Sequence, residues 1–236
     1  MRLTLDLSRS RVETKYGVAA EDVPALLRRI PADGREDYGV STLYFDRADG
    51  SLARKALADP LHCTKVRARE YGDGSPWIWF EVKTREGRWT RKSRLKLARP
   101  EAARLFAGSS RVLQVESDGD DDGEARRVLD EARRGDLRPV GAVYAFRKSC
   151  TLKRDLVRIT LDLEIAYHRP CEEPGMLGPL LRREREPVLE VKHVGCLPES
   201  CLRLLNGLRH STYSKFRNLV QSLSEFGGEA ERVDRL

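Results

Sequence analysis

The chain has 236 residues, 34% of them charged and 40% hydrophobic, which is typical of one large globular domain. Its formal net charge of +7 favours an anionic partner such as a phosphorylated molecule, nucleic acid or a membrane surface. Because no run of about 18 apolar residues is present and the first ten residues lack an apolar stretch, the sequence excludes a transmembrane helix and a signal peptide, and we expect a cytoplasmic protein.

Eight segments alternate between apolar and polar residues with period two, which predicts β-strands. In chain order they are residues 11–18, 40–46, 63–71, 77–85, 89–97, 140–149, 156–165 and 187–194. No linker-like stretch separates them. We therefore predict a single domain over residues 1–236, with a core from about residue 11 to 223 and a polar, frayed tail over residues 227–236.

Apolar residues between the strands recur with helical spacing. One predicted amphipathic helix carries Val23, Leu26, Leu27 and Ile30, and another carries Ala125, Val128, Leu129 and Ala132. Further helices are predicted to begin at Pro100, to follow Pro198, and to carry Phe216, Leu219, Val220 and Leu223 on one stripe. Together the strands and helices predict an α+β protein.

Two other features are interpreted as structural. The five cysteines are scattered and never spaced as CxxC, so we expect reduced thiols without a zinc or disulfide role. The acidic run over residues 118–123 lacks the later glutamate of a calcium-binding loop and is predicted to be a solvated surface loop.

The predicted strands carry their charges mainly on one face, as where Lys65, Arg67 and Arg69 alternate with Val66 and Ala68. An antiparallel sheet with one solvated face explains any single strand. A solvated face usually mixes both signs, however, and here cations dominate. The cations are Arg11, Lys15, Lys65, Arg67, Arg69, Lys83, Lys92, Arg94, Arg147, Arg158 and Lys192, and the acids are Glu13, Glu81, Asp162 and Glu190.

The excess of cations favours an eight-stranded antiparallel β-barrel whose charged faces line a tunnel, with the helices packed outside. Confined cations repel each other by several kcal/mol per close pair at an effective dielectric constant of about 20. A polyphosphate chain or a nucleoside triphosphate would neutralise them, because arginine and lysine both bind phosphate oxygens. The few carboxylates are the oxygen ligands that Mg²⁺ or Mn²⁺ prefers.

An ordered series of motifs resembles the catalytic domain of the vacuolar transporter chaperone (VTC) polyphosphate polymerases, within the CYTH-like superfamily of triphosphate tunnel metalloenzymes. The motifs are ETKY, STLYFD, KVRAREYG, FEVKT, KSRLKL, the FRK around Arg147, RITLD, LEVKH and YSKF, and they span residues 11 to about 223. The resemblance implies that Glu190 holds a divalent metal, Mn²⁺ or Mg²⁺, and Glu13, Glu81 and Asp162 are further candidate ligands. It implies that phosphates are bound by Lys15, Arg67, Arg69, Lys83, Lys92, Arg94, Arg147, Arg158, Lys192 and Lys215, and Ser214 is a further candidate contact at the start of the last helix.

The sequence departs from the superfamily pattern at two positions. Arg11 stands in the first acidic place of the ExExK motif of the adenylate cyclase and thiamine triphosphatase branch, which favours the VTC branch. Ala145 stands where the VTC family tends to place an aromatic residue, so recognition of a nucleotide base stays open. Trp77 or Trp79 is a candidate replacement, although packing is the favoured role of both. His62 and His193 are also predicted to have no catalytic role.

The leading functional prediction is transfer of the γ-phosphoryl group of ATP to a growing inorganic polyphosphate chain inside the tunnel. One alternative is a metal-dependent triphosphatase or polyphosphatase that uses water as the acceptor. Another is a non-catalytic binder of polyphosphate or nucleic acid. The leading prediction makes ATP and polyphosphate the partners and expects no nucleic acid, and the sequence does not indicate the oligomeric state.

Overall fold

The computed structural model describes residues 11–32, 34–72, 74–87, 89–106, 115–117, 123, 126, 129–130, 136–152, 156–171 and 177–233. The chain divides into two compact units, each assembled from three segments. Unit 1 comprises Met1–Tyr38, Ala145–Ile165 and Glu184–Tyr213, and unit 2 comprises Gly39–Tyr144, Ala166–Arg183 and Ser214–Leu236.

The strands are hydrogen-bonded in the order β11-β1-β10-β8-β7-β2-β3-β4-β5-β6, and β9 pairs with β8. Their bounds are β1 Arg11–Gly17, β2 Arg35–Arg47, β3 His62–Tyr71, β4 Trp77–Glu86, β5 Trp89–Ala98, β6 Val115–Ser117, β7 Leu137–Leu152, β8 Val157–His168, β9 Leu180–Arg183, β10 Val188–Val194 and β11 Arg209–His210. All eight predicted strands are present. The pairs β1·β10, β10·β8, β2·β3, β3·β4 and β4·β5 are antiparallel.

These observations confirm an α+β fold with a large antiparallel sheet. In the described residues the sheet has eleven strands and does not close into a ring, so the predicted eight-stranded barrel is not confirmed. The three strands that the sequence did not predict, β6, β9 and β11, have only two to four residues each, too few to show a periodic pattern.

The helices are α1 Val23–Arg29, α2 Ser51–Ala58, α3 Arg99–Phe106, α4 Glu199–Leu205 and α5 Lys215–Val233, with a 3₁₀ turn at Ala20–Asp22. The predicted helices at α1, α3, α4 and α5 are present, and Pro198 is the residue before α4 rather than its first. In the predicted helix near residue 129, Leu129 is helical and buried. Ala125, Val128, Ala132 and the acidic run over residues 118–122 lie outside the described residues.

In unit 1, the apolar face of the sheet packs against α1 and α4. Alternation along β1, β8 and β10 directs one set of side chains to this face. Burying one such aliphatic or aromatic side chain contributes about 1.5–3 kcal/mol. The buried cluster includes Tyr16, Leu26, Ile159, Leu161, Leu189, Val191, Cys201 and Leu204. The alternate side chains of the same strands therefore lie on the opposite face of the sheet.

Unit 2 repeats this arrangement with β2, β3, β4 and β5 packed against α2 and α3. Phe45 and Phe80 meet edge to face with their ring centroids 5.9 Å apart. The cluster also includes Leu43, Leu52, Val66, Ile78, Val82, Leu95, Leu97, Ala102 and Leu105. As the alternation predicted, Arg67, Glu81 and Arg94, which alternate with these core residues, lie on the other face.

All five cysteines are free thiols, and Cys63, Cys150 and Cys201 are buried. Within the part of the chain that the structure describes, no helix is long and apolar enough to cross a membrane.

Candidate functional site

The charged face of unit 1 is built by neighbouring strands in register. Lys15 on β1 lies opposite Glu190 on β10, and Glu13 lies opposite Lys192. On β8, Thr160 lies opposite Glu190, and Arg158 lies opposite Lys192. We call these six residues the Glu190 face: Glu13, Lys15, Arg158, Thr160, Glu190 and Lys192.

Two lysines connect the two carboxylates of the Glu190 face. Lys15 Nζ lies 3.4 Å from Glu13 Oε1 and 3.7 Å from Glu190 Oε2. Lys192 forms a close ion pair with Glu190 and lies 3.8 Å from Glu13. Burial raises the pKa of Glu190, but the charges of Lys192, Lys15 and Arg147 outweigh it and hold that pKa well below its usual range. Glu190 is therefore an anion at neutral pH.

Arg147 on β7 is held next to this face by a bidentate ion pair. Its Nε and Nη2 donate to Asp162 Oδ1 and Oδ2 at 2.6 and 2.8 Å, and both side chains are largely buried. Arg158 Nη2 donates to the hydroxyl of Tyr38 at 3.0 Å. Asp162 therefore orients Arg147, which is a different use of this carboxylate from the predicted metal ligation.

The oxygen ligands of the Glu190 face fit a divalent cation that is shared with a substrate. In the described ranges, no group of three His, Cys, Asp or Glu residues could hold a metal ion by itself. Glu13 and Glu190 contact the same two lysines and so supply two neighbouring carboxylates. One or two carboxylates together with substrate phosphates is the usual ligand set of Mg²⁺.

The charged face of unit 2 is built by β3, β4 and β5. Arg67 lies opposite Glu81, and Lys65 lies opposite Lys83. Across the next pair of strands, Glu81 lies opposite Arg94, and Lys83 lies opposite Lys92. Together with Arg69, these residues form what we call the Glu81 face: Lys65, Arg67, Arg69, Glu81, Lys83, Lys92 and Arg94.

Glu81 is fully buried at the centre of this face and contacts three cations. Its carboxylate lies 2.7 Å from Arg67 Nε, 2.5 Å from Lys92 Nζ and 3.6 Å from Arg69 Nη1. Burial raises the pKa of Glu81, but the charges of Arg67, Arg69 and Lys92 outweigh it, so the pKa lies well below its usual range. Glu81, a predicted metal ligand, is positioned here as the internal counter-ion of three predicted phosphate ligands.

The start of α5 adds to the Glu81 face. Lys65 Nζ donates to Ser214 Oγ at 3.0 Å, and Ser214 directly precedes Lys215, the first residue of α5. Lys65 was not among the residues that the resemblance assigned to phosphate binding. Its parity with Arg67 and Arg69 is the sequence signal that identifies it.

Tyr44 is a further residue of this region that the sequence analysis missed. It is buried, lies opposite Arg67, and stacks on Phe216 with the ring centroids 5.0 Å apart. Burial raises the pKa of the Tyr44 phenol, but Arg67, Arg69, Lys65 and Lys215 outweigh it, so the pKa is lowered. Tyr44 therefore occupies the strongly positive environment of the Glu81 face.

Hydroxyl groups also orient Arg69. Its Nε donates to Thr42 Oγ1 at 3.3 Å, and its Nη1 donates to the Tyr71 hydroxyl at 3.0 Å. Because both partners are neutral, they fix the guanidinium without cancelling its charge.

The tryptophans and histidines occupy positions with other contacts. The Arg94 guanidinium lies 4.6 Å from the centroid of the Trp79 ring, and the Lys96 ammonium lies 4.0 Å from that of Trp77. His193 is buried, with Nδ1 2.8 Å from the carbonyl oxygen of Gly195. His62 is exposed, with Nδ1 2.8 Å from Asp59. Both histidines therefore make local structural contacts.

The structure thus groups the predicted site residues on or beside two sheet faces, one in each unit. Unit 1 contains Glu13, Lys15, Arg147, Arg158, Asp162, Glu190 and Lys192, and unit 2 contains Arg67, Arg69, Glu81, Lys83, Lys92, Arg94, Ser214 and Lys215. Their assignment to phosphate and metal binding stays a prediction, as does the enclosed tunnel.

The lowered pKa values of Glu81 and Glu190 predict acid sensitivity. A carboxylate with a depressed pKa in the folded state stabilises the fold fully above its ordinary pKa, about 4.3 for glutamate. This stabilisation is lost as the pH falls through the depressed values. We expect the free energy of unfolding, measured in urea, to fall steeply below about pH 5 and to fall less steeply in Glu81→Gln. Equal slopes in the two proteins would contradict this expectation.

Comparison with known proteins identifies one family and one solved structure with a shared fold. The sequence model of the VTC domain matches residues 10–224. No functionally curated protein gives a significant match. A putative adenylyl cyclase from Hippeastrum, described as having a dominant triphosphatase activity, is 17% identical over 90% of this chain and 95% of its own, with a TM-score of 0.56. A putative adenylate cyclase from Bacillus halodurans is 15% identical over 93% and 91% of the two chains, with a TM-score of 0.48. The similarity to the Hippeastrum protein shows a shared fold.

Proposed function

The chain belongs to the VTC domain family, and we propose that it is a metal-dependent phosphotransferase that adds the γ-phosphoryl group of ATP to a growing inorganic polyphosphate chain. The observation that carries the proposal is the clustering of cations around Glu81 in unit 2 and around Glu190 in unit 1. Glu81 contacts three cations, and Glu190 contacts two.

Internal counter-ions make such faces suitable for phosphate. Without Glu81, the guanidinium groups of Arg67 and Arg69 would repel each other in a largely buried position. With it, they are held in place before a ligand arrives. Because cations still outnumber the single carboxylate on the Glu81 face, a net positive charge is left to attract phosphoryl groups.

The chemistry that we propose requires positioning and charge neutralisation more than a protein nucleophile. The acceptor is a terminal phosphate, which is largely ionised at pH 7 because its second pKa is about 6. A general base is therefore not needed. Arginine forks and lysine ammonium groups would stabilise the charge on the equatorial oxygens of the transferred phosphoryl group. Arg147 suits this role because Asp162 fixes its orientation.

Glu190 and Glu13 would hold the divalent cation, Mn²⁺ or Mg²⁺. When bound, such an ion neutralises charge on phosphate oxygens. Lys15 and Lys192 contact both carboxylates and so position them before the ion binds.

A triphosphatase or polyphosphatase is the second candidate, and one observation favours it. The Glu13 side chain is 28% exposed, against 14% for Glu190, so water has access to a carboxylate on this face. A partly solvated carboxylate can accept a proton from an attacking water molecule.

Incubation of the purified protein with ATP and Mn²⁺ or Mg²⁺ tests the two activities. For a polymerase we expect phosphate chains that lengthen with time on a gel, with ADP formed in proportion to the phosphate incorporated. Free phosphate without long chains would identify the hydrolase instead. Salt-sensitive binding of polyphosphate without any turnover would contradict both and indicate a non-catalytic binder.

A further inference from the structure

Thr160 has a buried hydroxyl group that the fold leaves unsatisfied. The residue is 3% exposed and belongs to the Glu190 face, opposite Glu190 itself. Its Oγ1 has no hydrogen-bond partner among the described residues. Since buried polar groups are nearly always hydrogen-bonded, this hydroxyl group indicates that something outside the chain binds here.

Arg158 provides a second, independent indication on the same strand. Its Nη2 donates to Tyr38, but its buried Nε has no acceptor within the part of the chain that the structure covers. Arg158 and Thr160 are two residues apart on β8, so their side chains project from the same face of the sheet. Two buried groups that can donate a hydrogen bond are therefore neighbours, and neither is used by the fold.

We infer that Thr160 is a phosphate-positioning residue, whose hydroxyl donates to the same phosphoryl group that Arg158 binds. An arginine Nε can only donate, so the shared ligand must accept hydrogen bonds, as a phosphoryl oxygen does. A metal ion would satisfy the threonine oxygen but would be repelled by Arg158. The inference rests on the proposed function only in requiring that this face binds phosphate.

Thr160→Val tests the inference, because valine keeps the shape of threonine and removes the hydroxyl group. We expect the dissociation constant for tripolyphosphate, measured by calorimetry in EDTA, to rise about tenfold, as for loss of a hydrogen bond to a charged group. The melting temperature of the ligand-free protein should stay the same or rise, because an unsatisfied buried group has been removed. Thr160→Ser, which keeps the hydroxyl group, should bind nearly as well as the unmodified protein.

Thr14→Val is the matched control, because Thr14 lies on β1 of the same unit with the opposite parity to Glu13 and Lys15. It should leave tripolyphosphate affinity unchanged. A nonhydrolysable ATP analogue, measured in parallel, shows whether the phosphoryl group belongs to nucleotide as well as to polyphosphate.

Unchanged affinity of Thr160→Val for both ligands would overturn the inference, and so would an effect that appears only when Mn²⁺ is present. A lower melting temperature of ligand-free Thr160→Val with normal affinity would show a purely structural role. If the unmodified protein bound tripolyphosphate neither in EDTA nor with Mn²⁺, the proposed function would fail as well. Binding by the unmodified protein together with unchanged affinity in Thr160→Val would overturn the inference alone.

Discussion

Replacing Glu190 with glutamine is expected to lower the metal-dependent rate of phosphoryl transfer by about a hundredfold or more. A bound divalent cation stabilises transition-state charge by several kcal/mol, and each 1.4 kcal/mol corresponds to a factor of about ten in rate. Glutamine keeps the shape of Glu190 and removes the charge of one of the two carboxylates that would hold the ion. The rate should be measured as incorporation of phosphate from ATP over a range of Mn²⁺ concentrations.

A binding measurement separates loss of the metal from general damage to the site. In the presence of tripolyphosphate, Glu190→Gln should bind Mn²⁺ more weakly than the unmodified protein. The matched control is Glu199→Gln in α4, where an exposed carboxylate pairs only with Arg203 among the contacts described. It should change neither quantity. Normal Mn²⁺ affinity in Glu190→Gln, or a rate within threefold of the unmodified protein, would refute the assignment of Glu190 as a metal ligand.

The two charged faces could be predicted from the sequence because strand parity is a local property. Along β3, Val66 and Ala68 pack in the core of unit 2, so the side chains of Arg67 and Arg69 project from the opposite face. On β10, Val191 packs in the core of unit 1, so Glu190 projects from the opposite face. No knowledge of the strand partners is needed for this step.

Features that depend on tertiary partners were not predictable in this way. Helix α2 begins where the carboxylate of Asp46 accepts hydrogen bonds at 2.9 Å from the backbone N–H groups of Leu52 and Ala53. This cap comes from the end of β2 rather than from the residue before the helix, Gly50. A search for a local capping residue therefore misses it. Closure of the sheet likewise depends on pairing between distant strands, about which parity says nothing.

The roles of individual charges within a face also could not be predicted from the sequence. Parity gives Glu81 and Glu190 the same description, a carboxylate that shares a strand face with cations. The register decides that Glu81 meets Arg67 and Arg94, and burial decides that it lies out of reach of water. Tyr44 was missed for a related reason: an aromatic residue in STLYFD suggests the core, whereas its register places it opposite Arg67.

The largest effect on stability is expected for Glu81→Gln, which removes the counter-ion of three cations. Removing one partner of a buried ion pair is unfavourable by about 3–5 kcal/mol, because the remaining charge is left uncompensated. For a protein of this size, each kcal/mol lowers the melting temperature by about 2–4 °C. We therefore expect ligand-free Glu81→Gln to melt at least about 6 °C below the unmodified protein in a calorimetric scan. Glu86→Gln, an exposed site on the same strand, should melt within about 2 °C of it.

The same variant distinguishes a phosphate-binding face from an ordinary buried ion-pair network. In Glu81→Gln, the charges of Arg67, Arg69 and Lys92 are no longer offset, so a polyanion gains more by binding them. Tripolyphosphate should then raise the melting temperature of Glu81→Gln by more than it raises that of the unmodified protein. If the cations served only the fold, the variant would be destabilised and tripolyphosphate would give both proteins the same shift. A face that binds phosphate therefore predicts two results for Glu81→Gln. The ligand-free variant is less stable than the unmodified protein, and tripolyphosphate stabilises the variant more.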